Sequence, residues 1–75
     1  QNAGIYRKVF ELPSAWKDEK VYLHLGAVKS AFKLYINGTF VGVGKDSKLT
    51  SEFDITPYLT SGKNLIAMEV RRWHP

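Results

Sequence analysis

Polar and apolar residues alternate with a period of two along most of this chain, the mark of strands rather than helices. Phe32, Leu34 and Ile36 alternate with Lys33 and Tyr35, so the first three share one face of a strand. Val21, Leu23 and Leu25 repeat the pattern against Tyr22 and His24, and Ile66, Met68 and Val70 repeat it against Ala67, Glu69 and Arg71. A looser alternation from Tyr6 to Leu12 closes at Pro13, and Phe53-Asp54-Ile55 predicts one more short strand.

Turn chemistry separates these runs. Asn37-Gly38 joins the strand ending at Ile36 to Thr39-Phe40-Val41-Gly42-Val43. A type I′ turn needs positive φ at both central residues, and Asn-Gly tolerates it best, so a tight hairpin is predicted. Gly42 and Gly44 flank Val43 and predict a bulge or the strand's end, where another backbone can approach. From Lys45 the pattern breaks into a polar connection containing Asp46, Ser47, Thr50 and Ser51. Thr56-Pro57-Tyr58-Leu59 predicts a single helical turn, with Thr56 as N-cap and Pro57 at the first helical position. Ser61-Gly62-Lys63-Asn64 turns the chain into the last strand, and Ser14 to Lys20 has room for one helical turn around Trp16. Five or six short strands, with no repeat or linker between them, predict an antiparallel β-sandwich, jelly roll or barrel fragment.

Length and charge narrow the picture. Seventy-five residues make at most one small domain, with no cysteine to staple it or to bind a metal as thiolate. Absence of cysteine fits either side of a membrane, so the compartment stays open between cytoplasm and periplasm. The chain opens at Gln1 rather than Met, as an excised segment or processed product would. No run approaches the roughly 18 apolar residues of a membrane helix. Net charge is +4, but Arg7, Lys8, Lys17, Lys20, Lys29, Lys33, Lys45, Lys48, Lys63, Arg71 and Arg72 are spread among acids such as Glu11, Asp18, Glu19 and Glu69. That scatter is a solvated surface, not a nucleic-acid footprint.

Residues with chemistry read mostly as structure. His24 and His74 lie fifty positions apart, without the close-spaced ligands a zinc site requires. His24 is expected to face outward from its strand, and His74 to belong to the chain's end. Asp46, Glu52 and Asp54 form the acidic neighbourhood of note. Glycoside hydrolysis needs two carboxylates at a set separation across a sugar, whereas Asp46 sits in a turn and Asp54 where a carboxylate caps the turn that follows. Ser14, Ser30, Ser47, Ser51 and Ser61 lack a nucleophile-elbow setting, and Gly42-Val43-Gly44-Lys45 lacks the spacing of a phosphate loop. Asn37-Gly38-Thr39 matches a glycosylation sequon, but the same residues make the hairpin turn. Trp16, Tyr22, Tyr35, Phe40, Tyr58 and Trp73 have rings suited to stacking on sugars. Phe10, Phe32 and Phe53 are expected in the core, and Trp16 and Trp73 are expected to pack rather than to stack on a ligand.

An ordered set of segments carries a family resemblance: Gly4-Ile5-Tyr6-Arg7-Lys8-Val9-Phe10-Glu11-Leu12-Pro13, Ser30-Ala31-Phe32, Tyr35-Ile36-Asn37-Gly38, Val41-Gly42, Asp46-Ser47, Glu52-Phe53-Asp54-Ile55-Thr56, Tyr58-Leu59, Gly62-Lys63-Asn64 and Arg72-Trp73. Together they resemble the N-terminal sugar-binding domain of glycoside hydrolase family 2, with the nearest likeness to the large bacterial β-galactosidases. The likeness spans essentially all of residues 1–75. It departs from the β-galactosidase pattern at Lys45 and at His74-Pro75.

The resemblance implies a jelly-roll, galactose-binding-domain-like β-sandwich, here a partial domain of a larger glycoside hydrolase. It implies a parent enzyme that hydrolyses terminal β-galactosides in carbohydrate metabolism by a retaining double displacement, with Mg2+ and Na+ as cofactors. The catalytic glutamates of that family belong to its barrel domain. Its substrate and metal contacts fall outside positions 1–75, so no catalytic, substrate-binding or metal residue is assigned here. Partners are then the remaining domains of the parent, with carbohydrate bound by the whole. A jelly roll has eight strands, so five or six leave open edges that predict self-association of this piece. The competing readings are a free-standing carbohydrate-binding module using Trp16, Tyr35 and Trp73, a ligand-free structural domain, and an oligonucleotide-binding barrel.

Overall fold

The computed structural model describes residues 3–26, 30–44 and 51–72. The expectations placed on Lys29, Lys45, Asp46, Ser47, Lys48, Thr50, Trp73, His74 and Pro75 lie outside them. Six strands follow in order, β1 Ala3–Glu11, β2 Tyr22–Leu25, β3 Ser30–Ile36, β4 Thr39–Gly44, β5 Ser51–Asp54 and β6 Lys63–Arg72. Two single 3-10 turns, Ser14–Trp16 and Thr56–Tyr58, lie between them. No described helix is long and apolar enough to cross a membrane.

All pairing is antiparallel, in a four-stranded sheet of order β1-β6-β3-β4 and a two-stranded sheet of β2 and β5. The last strand thus sits between the first and the third. Its register places Val70 opposite Phe32, Met68 opposite Leu34 and Ile66 opposite Ile36, so two of the three apolar sets found by alternation line one face. Leu23 and Phe53 pair on the second sheet and close over that face. The Phe32 and Phe53 rings meet edge to face with centroids 6.0 Å apart. Phe32, Leu34, Ile36 and Ile55 are the buried core, and Phe10, Val21, Leu25, Val41, Tyr58 and Leu59 pack around them.

The hairpin forms as its turn chemistry requires. Asn37 and Gly38 have φ of 51° and 81°, the two positive values of a type I′ turn. The bulge sits one residue earlier than Gly42, where Leu34 pairs with Gly42 and Tyr35 with Phe40, leaving Val41 unpaired. The space above the glycines is taken by rings, not by another backbone. A Cβ on Gly44 would collide with the Phe32 ring, and one on Gly42 with that of Phe53.

A second correction concerns Thr56. Its turn forms with Pro57 at the start, but Ile55 holds the N-cap position and Thr56 makes no side-chain cap. Instead, Asp54 caps it, with Oδ1 accepting the Thr56 backbone N–H at 3.0 Å. The Thr56 hydroxyl reaches across to Val21, just before β2, accepting from Val21 N at 2.7 Å and donating to Val21 O at 3.3 Å.

Candidate functional site

The first surface with chemistry is the outer face of the small sheet, set by the β2–β5 register. His24 pairs with Glu52 and Tyr22 with Asp54 on that face. His24 faces outward as its strand position predicts, and Nε2 lies 2.8 Å from Glu52 Oε2. That partner was not legible in sequence, because it depends on which strands pair. Hydrogen bonds from Thr56, the side chain first and the backbone N–H second, hold the Asp54 carboxyl below the ordinary carboxylate range; Lys20 adds a smaller attraction. Both carboxylates are therefore engaged in local contacts. Among the described residues no three His, Cys, Asp or Glu side chains converge to hold a metal ion.

The second surface is the entry to β2. Trp16 closes the first 3-10 turn, and its carbonyl accepts from Glu19 N at 3.0 Å. Lys17 at φ −55°, ψ 133° followed by Asp18 at φ 70° makes this a type II turn, with aspartate where glycine is usual. The chain folds back to form a cleft of about 450 Å³ lined by Ala15, Trp16, Glu19, Lys20, Val21 and Tyr22. Trp16 is 49% exposed and Tyr22 47%, and Trp16 is absent from the core cluster. The expectation that Trp16 packs is corrected: the short turn after Pro13 leaves it half in solvent, outside the core. Tyr35 and Phe40 stack edge to face at 5.7 Å on the outer face of the large sheet, and Tyr58 packs at the core.

The third feature is a polar latch at the hairpin. Asn37 Nδ2 donates to Tyr58 O at 2.9 Å and to Asn64 Oδ1 at 2.8 Å, while Asn37 Oδ1 accepts from Leu65 N at 2.9 Å. Asn64, only 2% exposed, is the hub. Its Oδ1 also accepts from Thr60 N at 2.8 Å, and its Nδ2 donates to Thr60 O at 2.9 Å and Gly62 O at 3.0 Å. A buried amide is tolerable only when so satisfied. The carboxamide of the sequon Asn37-Gly38-Thr39 is thus occupied by structure, which favours its turn role.

Comparison with known proteins places this arrangement. The pattern of glycosyl hydrolases family 2, sugar binding domain, matches residues 1–75. The chain belongs to this family. A β-galactosidase from Priestia megaterium is 51% identical over 70 residues, covering 93% of the chain and 7% of the relative. A β-glucuronidase structure from Bacteroides uniformis superposes with a TM-score of 0.88 at 33% identity, over 96% of the chain and 9% of that protein. A β-D-mannosidase structure from Dictyoglomus thermophilum shares the fold, with a TM-score of 0.83 at 23% identity, over 91% and 8%. The family 2 domain is therefore a small part of larger glycosidases. The Asn-Gly hairpin, the Asp54-capped turn and the Gly62–Asn64 entry to β6 all lie within the matched span.

Proposed function

We propose that this chain is a non-catalytic, sugar-binding-domain scaffold of a β-galactosidase that hydrolyses terminal β-galactosides by retention. The observation that carries the substrate assignment is sequence identity, 51% to a β-galactosidase against 33% to a β-glucuronidase of the same fold. The fold alone does not discriminate, because the same sandwich serves several glycosidases. A retaining mechanism needs two carboxyl groups about 5 Å apart, one as nucleophile and one as acid and base. On this reading those groups, and the Mg2+ and Na+ that family likeness implies, belong to the rest of the parent. This domain contributes a rigid wall beside the active site and contacts to its neighbouring domains. Hydrolysis of an aryl β-galactoside by the full-length parent, with the β-glucuronide as comparison, tests the substrate; a preference for the β-glucuronide would remove it.

A second reading, a carbohydrate-binding surface within this chain, is favoured by the half-exposed Trp16 and Tyr22 about their cleft. Aromatic faces match the C–H faces of sugars, and Glu19 and Lys20 supply polar partners. Tryptophan fluorescence of the chain titrated with galactose, lactose and a soluble polysaccharide separates the two. The scaffold reading expects no change; a saturable shift abolished by Trp16→Ala would establish the second.

A further inference from the structure

Asn37 and Gly38 are exposed at the hairpin tip, and the space a side chain on Gly38 would fill is empty to 4 Å. As a glycine, Gly38 also has no side chain of its own to shield its nitrogen. The neighbouring Asn37 carboxamide, by contrast, is held by three hydrogen bonds of 2.8 to 2.9 Å to Tyr58 O, Asn64 Oδ1 and Leu65 N. We propose that Asn37-Gly38 is a self-modification site held shut by the fold, at which Asn37 is converted to aspartate or isoaspartate once the latch to Asn64 opens.

The chemistry needs only water. The Gly38 backbone nitrogen attacks Asn37 Cγ; the N–Cγ bond forms, the Cγ–Nδ2 bond breaks, and the Gly38 amide proton leaves with Nδ2 as ammonia. Water then opens the cyclic imide. Opening at Cγ leaves aspartate, and opening at the backbone carbonyl leaves isoaspartate with the chain routed through the side chain. One water is consumed, one ammonia is released, and nothing is oxidised or reduced.

The step is one-way for the fold. A carboxylate at position 37 has no hydrogen to donate, so its oxygen confronts Tyr58 O and Asn64 Oδ1, both acceptors. Isoaspartate also lengthens the backbone inside a turn whose Asn37 N–H must reach Leu65 O, 2.9 Å away.

The test compares the chain in buffer and in urea at the same mildly alkaline pH, by peptide mapping with mass spectrometry and isoaspartate detection. Conversion at residue 37 is expected to be at least about tenfold slower in the folded chain, the factor that one lost hydrogen bond sets. Equal rates would overturn the proposal. Asn64→Ala, provided it retains its β circular dichroism, is expected to raise the native rate toward the urea rate, and an unchanged rate would count against the latch. If that variant does not fold, Asn37→Asp supplies the second arm, with a lower urea midpoint expected and an unaltered one opposed.

Discussion

Asn37 Nδ2 donates to Asn64 Oδ1 at 2.8 Å, joining the β3–β4 hairpin to the loop that feeds β6. Twenty-six residues lie between the two, and that one contact makes local turn chemistry depend on sheet order. The hairpin tip, the turn Thr56–Tyr58 and the loop 60–64 are thereby fastened at one end of the sandwich.

Asn64→Ala should therefore be among the costliest single changes in this chain. It leaves the Thr60 N–H, the Thr60 and Gly62 carbonyls and an Asn37 N–H without their partner at a buried position. The expected loss is ~2–4 kcal/mol, read as a lowered urea midpoint. A loss within the range of ordinary surface substitutions would mean the latch is incidental.

Gly44→Ala tests the close approach of Phe32. The added methyl collides with the ring, and Phe32 is 3% exposed with little room to turn. Overpacking of this kind should destabilise by ~1–3 kcal/mol. Pairing the change with Phe32→Leu should restore part of it in a double-mutant cycle.

Asp54 gives the acid limb of stability a definite sign. Hydrogen bonds from Thr56 lower its folded pKa, so as pH falls the unfolded chain takes up the proton first. Its contribution is complete above the ordinary carboxylate range and disappears as pH falls through the lowered folded value. Urea midpoints measured from about pH 6 down to about pH 2 should fall less steeply for Asp54→Asn than for the parent chain. Parallel curves would show that the carboxylate contributes nothing.

The edge strands of the described sheet are expected to make the isolated chain self-associate. β1 and β4 flank the large sheet, and its outer face exposes Ile5 (60%), Val9 (58%), Phe40 (51%) and Val43 (55%). Unpaired edges with apolar flanks recruit further chains. Light scattering should report a dimer or larger species that Ile5→Lys with Val9→Lys shifts toward monomer. A monomer at high concentration in the unmutated chain contradicts this.

β2, β3 and β6 were legible because period-two alternation runs through each; β1 alternates more loosely, and β4 and β5 were legible from the Asn-Gly turn, which suits two positive φ values, and from a short run around Phe53. The turn cap was legible in Asp54 but misplaced on Thr56, whose hydroxyl instead bonds the backbone of Val21, thirty-five positions away. The Asn37–Asn64 and His24–Glu52 contacts were not legible, since alternation places residues on faces without saying which strands are neighbours. Trp16 was misread for a related reason. An aromatic's burial depends on what packs over it, and a one-turn excursion after Pro13 leaves this one half in solvent.

If the proposed β-galactosidase assignment holds, the full-length parent will prefer galactosides over glucuronides. Its kcat/KM should be measured for an aryl β-galactoside and the matching β-glucuronide under identical conditions. A ratio favouring the galactoside by about 10²-fold or more is expected. A ratio near unity, or one favouring the glucuronide, would contradict it.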